Sequence, residues 1–256
     1  MSGKRIIHTP EEIVRIRRAA EVTAQVRDEV ARLAHPGMTT FDLDQLAGQL
    51  INATGGRSAF KNYHGYPGNI CISVNDVVIH GIGRPDVIIT EDDIVSIDVG
   101  VCIDGAIGDC ALTFGFKELK ADVKRLLDGT RECLSEGIAA AVNGKFVRDI
   151  SAAVEKCARK HKLGIVREFV GHGCGIQLHE APEVPNYTGW GKGARLEPGM
   201  VLCIEPMMNL GTDSVRLDRK DGWTVRTVDG KLSAHFEHMI LITENEPEIL
   251  TWPKTM

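Results

Sequence analysis

The chain has 256 residues, 43% of them hydrophobic, and a formal net charge of −5 at pH 7, enough for one large core or two small ones. The charge is spread and forms no basic stripe, which argues against nucleic acid as a partner. The first ten residues hold no long apolar run and no stretch is long enough to span a membrane, so neither a leader nor a membrane partner is expected.

Thr9-Pro10-Glu11-Glu12 reads as a helix start, with Thr as cap, Pro in the first turn and Glu three residues after the cap. Ile13, Ile16, Ala20, Thr23, Val26, Val30 and Leu33 keep helical spacing until Pro36-Gly37. A second helix starts near Thr40, with Leu43, Leu46, Ala47, Leu50 and Ile51 on one face, and ends at Gly55-Gly56. Strands are expected at about 69–80, 93–103 and 106–114. Helices follow at about 119–142 and 147–162, then strands at about 165–172, 200–206, 223–228 and 234–243. Each half thus reads as two helices followed by antiparallel strands. Gly37-x4-Asp42-Leu43 and Gly144-x4-Asp149-Ile150 echo one another at matching helix–helix joints. Runs of helices and strands without strict alternation indicate an α+β fold. No low-complexity linker interrupts it, so residues 1–256 are expected to form a single catalytic domain. Seven cysteines without a C-x-x-C pair fit a reducing cytoplasm and argue against a disulfide framework or a zinc-thiolate site.

Five side chains of metal-ligand type stand out: Asp98, Asp109, His172, Glu205 and Glu237. Carboxylates are poor strand residues, and a buried one needs a cation or a dense shell of hydrogen bonds. Asp104-Gly105 is a two-residue hairpin turn signal. It sets Ile103 opposite Ala106 and Asp98 opposite Ala111, which makes Asp98 and Asp109 diagonal neighbours roughly 7–8 Å apart on one face. The plain alternative is two solvated acids on an edge hairpin, but their matched parity beside Val95, Ile97, Val99 and Val101 points inward. His172 sits among Gly171, Gly173 and Gly175, where backbone can approach closely. His179 follows as a second ligand or an oxyanion-type donor, and an ordinary surface His is its plain alternative. Glu205 ends an apolar strand before Pro206, and Glu237 begins another; singly, each reads equally well as a satisfied strand-end carboxylate. Four carboxylates match the charge of two divalent ions, and a water bridging such ions is a nucleophile near neutral pH. One imidazole with four carboxylates suits Mn, Fe or Co and tolerates Zn. A carboxylate not fully used in ligation shuttles the water proton.

Across nearly its whole length the chain resembles the type I methionine aminopeptidases, in their short, bacterial-like form. The resemblance rests on Tyr63–Asn75, Val78–Ile82, Asp98, Asp109, Gly171-His172-Gly173, His179-Glu180-Ala181-Pro182, Ile204–Met207, Asp221–Thr224 and Phe236-Glu237-His238. It implies a pseudo-two-fold α+β "pita-bread" fold, and two divalent ions (Co, Mn, Fe or Zn) on Asp98, Asp109, His172, Glu205 and Glu237. Glu205 would also be the proton shuttle. His80 and His179 would act on the scissile peptide and its tetrahedral intermediate. Tyr63, Tyr66, Cys71 and Trp223 fall where the family builds its methionine pocket, and aromatic walls suit a thioether. The implied activity is removal of N-terminal methionine before a small second residue (Gly, Ala, Ser, Thr, Val, Pro or Cys). The implied partners are the N-termini of nascent polypeptides in the cytoplasm, with ribosome contact and a monomeric state as further expectations. The family often holds a monovalent cation on loop carbonyls, at a place matched by Asn75, Asp76 and Ser233. Phe60 stands where Cys is common and Leu178 where Phe is common, which bears on pocket shape. The sequence shows neither the N-terminal extension of eukaryotic type I forms nor the insertion of type II forms.

Prolidases and proline-specific aminopeptidases share the five-residue set but usually carry a large extra N-terminal domain. Non-enzymatic relatives of the fold lose ligands, whereas this chain keeps all five and both accessory histidines.

Overall fold

The structure, a computed structural model, describes residues 6–189 and 191–252. The leader-free start expected for residues 1–5 lies outside the described residues. Helix α1 spans Pro10–Leu33, and its entry is the reciprocal cap expected from sequence. The Thr9 hydroxyl accepts from the Glu12 amide, and the Glu12 carboxylate accepts from the Thr9 amide. Two first-turn amides that have no helical partner are satisfied this way. Helix α2, Thr40–Ala53, repeats the device with Thr39 and Asp42. Helices α3, Ala121–Ala140, and α4, Val147–His161, form the second pair. At the start of α4 the Asp149 carboxylate accepts from the Phe146 amide, as Asp42 does from Thr39. The echo between Asp42 and Asp149 therefore has a physical basis: both carboxylates cap the second helix of a pair.

In the first half, the Ile94–Ile103 and Ala106–Gly115 strands form a long hairpin. Its turn residues, Asp104 and Gly105, take φ of 52° and 72°, the left-handed pair that a tight two-residue turn requires. Register is as expected, with Asp98 opposite Ala111 and Gly100 opposite Asp109. Val95, Ile97, Val99 and Val101 pack into a core with Val26, Val30, Leu43 and Ile51 of α1 and α2. Strand alternation then turns Asp98 to the other face.

The second half carries a five-stranded sheet in the spatial order Glu248–Ile249, His238–Leu241, Val201–Ile204, Gly171–Gly173, Glu180–Val184. Its central strand is buried on both faces. Leu202 and Ile204 pack with Leu126, Leu134, Ile150 and Val154 of α3 and α4, while Val201 and Cys203 pack with Ile16, Ala19 and Ala20 of α1. Burial on both sides explains the unbroken apolar run at 201–204, since neither face is left to water.

The structure differs from expectation chiefly where strands break. The 69–80 segment is two strands, Cys71–Val74 and Val77–Ile79, split by a turn in which Asn75 has φ 56°. The 165–172 segment holds Gly164–Ile165 and Gly171–Gly173, and 234–243 holds Ser233–His235 and His238–Leu241. The last break frees Glu237 from strand pairing. Arg57–Ser58, Glu180–Val184, Met207–Asn209, Val215–Leu217 and Glu248–Ile249 were not anticipated. They are two to five residues long, and Glu180–Val184 carries a Pro and two acids, which mark an edge strand poorly.

Contacts between residues far apart in sequence close the molecule. Arg17 forms a two-pronged pair with Glu248, at 3.0 and 2.5 Å. His8 lies buried with its Nε2 3.1 Å from Glu180 Oε2. Burial disfavours a charge on His8, but Glu180 outweighs it and raises the imidazole pKa. Among the described residues no helix is long and apolar enough to cross a membrane.

Candidate active site

A cavity of about 350 Å³ is lined by all five ligand-type residues, Asp98, Asp109, His172, Glu205 and Glu237. The hairpin of the first half supplies Asp98 and Asp109. The second half supplies the other three. The Glu237 amide donates to the Ala111 carbonyl at 3.0 Å, which ties the break after Ser233–His235 directly to the hairpin.

His172 occupies a strand that only glycine neighbours permit. A Cβ at Gly171 would lie 2.3 Å from the Cys203 carbonyl oxygen, and one at Gly173 would lie 2.6 Å from that of Ala181. The His172 ring donates from Nδ1 to the Gly173 carbonyl at 2.9 Å. That bond fixes the tautomer and leaves Nε2 bare, 3.5 Å from Glu205 Oε1 and 3.9 Å from Asp109 Oδ2.

The set fits divalent cations on the protein's own terms. Asp98 Oδ1, Asp109 Oδ1 and Glu237 Oε1 are buried without a hydrogen-bond partner among the described residues. Unpaired buried carboxylate oxygens cost several kcal/mol in order of magnitude unless a cation meets them. Burial pushes the Asp98 carboxyl up to about 7 and raises Asp109 and Glu237 well above the usual range, with mutual repulsion adding to the last two. Burial also acts on Glu205, but His235 and His172 outweigh it and hold this carboxyl below its ordinary value. One site therefore combines three carboxyls that resist ionisation without a cation and one that stays ionised. Cys203 also lies in this cluster, with Asp109, His172 and Glu237 ligand atoms all within 4.8 Å of one another and of its sulfur.

His80 and His179 line the same cavity. Burial lowers the His80 pKa to about 4. His179 is lowered to about 4, first by desolvation and then by neighbouring His172, whose ring lies 4.3 Å away. Both are neutral near pH 7. The Tyr63 hydroxyl meets His179 Nδ1 at 2.7 Å. His80 has φ 56°, a strained backbone for a non-glycine residue, and its ring contacts those of Phe169 and Trp223 edge-on.

Tyr63, Tyr66, Cys71 and Trp223 come together as the sequence suggested, with Phe60 and Leu178. Tyr66 donates to the Gly81 carbonyl at 2.8 Å, so its apolar ring, not its hydroxyl, is left for the pocket. Phe60 has a structural complement. A Cβ at Gly100 would lie 2.5 Å from its ring, so a glycine opposite makes room for this aromatic. His238 turns away instead and meets Thr251 Oγ1 at 2.8 Å. Asn75 and Ser233 lie together through a 2.9 Å Ser233 amide to Asn75 carbonyl bond.

Sequence reading missed His235. It is buried, and its Nε2 lies 3.4 Å from Glu205 Oε2. Thr113 holds it from both sides, accepting from its amide at 2.9 Å and donating to its carbonyl at 2.8 Å. The available signal was parity, since His235 stands two residues before Glu237. Phe169, Val170, Ile79 and His64 also line the cavity and carried no distinguishing pattern.

The profile of Metallopeptidase family M24 matches residues 14–244, which sets the class as a metallopeptidase. The chain is 42% identical to the methionine aminopeptidase of Clostridium acetobutylicum, over 96% of this chain and 98% of that one. It is 43% identical to methionine aminopeptidase 1 of Bacillus subtilis, with the same coverage. A crystal structure of methionine aminopeptidase from Rickettsia prowazekii matches with a TM-score of 0.94 at 36% identity, over 97% of this chain and 100% of that one. At these identities over almost the full length of both partners, the chain belongs to the methionine aminopeptidases of family M24. A prolidase from Pyrococcus furiosus shares the fold at 21% identity and a TM-score of 0.79, with 98% of this chain covering 66% of that one.

Proposed function

We propose that this chain hydrolyses the first peptide bond of polypeptides that begin with methionine and carry a small second residue. Nascent polypeptides are its natural substrates. The carrying observation is the set of buried, unpartnered carboxylate oxygens of Asp98, Asp109 and Glu237, beside an aromatic and thiol-lined pocket. With Glu205 they make four negative charges, which two divalent ions of Co, Mn, Fe or Zn type balance, and His172 Nε2 completes the donor set. Asn75, Asp76 and Ser233 are proposed to hold a monovalent cation.

Divalent ions held by Asp98, Asp109, His172, Glu205 and Glu237 would supply Lewis acidity toward a carbonyl and toward a water. Glu205 accepts that water's proton and returns it to the leaving amine, a role that suits the one carboxyl of the cluster held below its ordinary pKa. The Tyr63 hydroxyl holds His179 at Nδ1, and the tautomer in which Tyr63 donates would leave the His179 proton on Nε2 for the developing oxyanion. His80 stands as a second neutral imidazole facing the substrate backbone. Tyr66, Cys71, Phe60 and Trp223 offer an unbranched thioether an apolar, polarizable slot. The restriction to small second residues follows from the resemblance. Metal-reconstituted enzyme is expected to cleave Met-Ala-Ser and leave intact Xaa-Pro peptides whose first residue is not methionine; the reverse pattern refutes the proposal in favour of a prolidase-type activity.

His179→Ala is expected to lower kcat by about 10²–10³ while metal stays bound, because it removes one donor that acts mainly in the transition state. Calorimetric metal titration separates this role from direct ligation. A collapse of metal affinity as deep as that of His172→Ala makes His179 a ligand instead.

A further inference from the structure

We propose a second metal site, outside the active site, in which Glu132 of α3 and Cys157 and His161 of α4 hold Zn²⁺. The absence of C-x-x-C argued against zinc-thiolate chemistry, but a helix needs no such pair. Residues four apart share a helix face, so Cys157 and His161 project together from α4. Across from them stands Glu132. Ligand atoms of all three lie within 4.8 Å of one another.

The surroundings shape these groups as donors. Lys160 Nζ takes Glu132 Oε1 at 2.5 Å, which leaves Oε2 turned toward His161 Nε2 at 2.6 Å. A carboxylate anchored by one oxygen and ligating with the other is the usual outer-shell arrangement of a metal site. Arg125 donates to the His161 carbonyl at 2.6 Å and holds the last turn of α4 in place. Cys157 is buried, while Glu132 and His161 are partly open to solvent, so a water completes a tetrahedral set from the outside. Glu132, nearby Glu136 and a Cys157 thiolate together exceed the two positive charges of Lys160 and Arg125.

Thiolate, imidazole and carboxylate in one place suit Zn²⁺ far better than Mn²⁺ or Mg²⁺. Zn–S and Zn–N bonds of about 2.3 and 2.0 Å put ligand atoms a little over 3 Å apart. The His161–Glu132 contact must therefore open by under about 1 Å, which the half-exposed Glu132 carboxylate allows. Binding exchanges that contact for two metal bonds, releases the Cys157 thiol proton to solvent, and moves the His161 Nε2 proton through solvent to Nδ1, so that Nε2 is free to ligate. The ion then clips α3 to α4, the pair that backs Leu202 and Ile204 of the central strand.

Co²⁺ added to the whole protein, stripped by chelator and kept reduced with a phosphine, tests this. Expected is a near-ultraviolet thiolate-to-cobalt charge-transfer band that Zn²⁺ abolishes by displacement. The band should vanish in Cys157→Ser, persist in Cys203→Ser, and need at least about tenfold more Co²⁺ in Glu132→Gln, a substitution on the protein's surface. Elemental analysis should show one zinc ion fewer per chain in Cys157→Ser than in the parent. If no band forms, the cluster is an ion-paired joint only. If the band survives Cys157→Ser but is lost in Cys203→Ser, the thiolate belongs to the active site. Either result overturns the proposal, and neither bears on the peptidase reading.

Discussion

Glu205→Gln is expected to lower kcat by about 10²–10⁴ with little change in KM. The amide keeps the shape and one ligating oxygen but accepts no proton. Glu205 is the member of the cluster best suited to stay ionised: burial opposes its charge, but His235, 3.4 Å away, outweighs it. Its substitution also weakens metal binding, so turnover has to be measured at saturating metal, with bound metal assayed alongside. A loss confined to KM, with kcat preserved, would assign the proton transfer to another group.

Asp109→Ala is expected to lose bound metal and activity together, with affinity falling by more than the roughly 10–100-fold typical of an outer-shell partner. Asp98→Ala should behave alike. Both residues stand on the hairpin, and among the described residues the cavity is lined by no carboxylate besides these two, Glu205 and Glu237. The metal-free protein supplies a sign test. Burial raises the Asp109 pKa well above its unfolded value of about 3.9, so above that pH ionisation of this carboxyl opposes folding. Metal-free Asp109→Asn should therefore melt no lower than the metal-free parent at neutral pH. Any advantage should fade as pH falls through about 4, below which the carboxyl is protonated in both states. Full activity with unchanged metal content in Asp109→Ala would sink the two-metal reading.

What was legible in the sequence was local or ran against propensity. Thr9 with Glu12 announces α1 because a cap is made within four residues. Asp104-Gly105 sets the hairpin register because a two-residue turn leaves no slack, and register alone places Asp98 beside Asp109. Carboxylates inside valine and isoleucine strands are conspicuous because nothing but a cation or a hydrogen-bond shell excuses them. The unreadable parts depend on distant partners. His235 acquires its place from Thr113, more than a hundred residues earlier, and His8 from Glu180. Phe60 fits because Gly100, across the sheet, has no side chain. The breaks at Asn75 and at Glu237 sit inside runs that local pattern alone reads as continuous strands.

The order in which the proposed ligands occur along the chain governs when the site can exist during synthesis. Asp98 and Asp109 arrive with the first helix pair and its hairpin, whereas Glu237 arrives only near the far end. α1 itself waits for late partners, since Glu248 is 231 residues beyond Arg17. Such distant pairings are slow to close and cannot form before both partners have emerged. A copy still under synthesis thus has two mutually repelling acids, Asp98 and Asp109, and no complete donor set. Full metal uptake is therefore expected only after Glu237 has emerged, and fragments ending before it are expected to bind metal weakly.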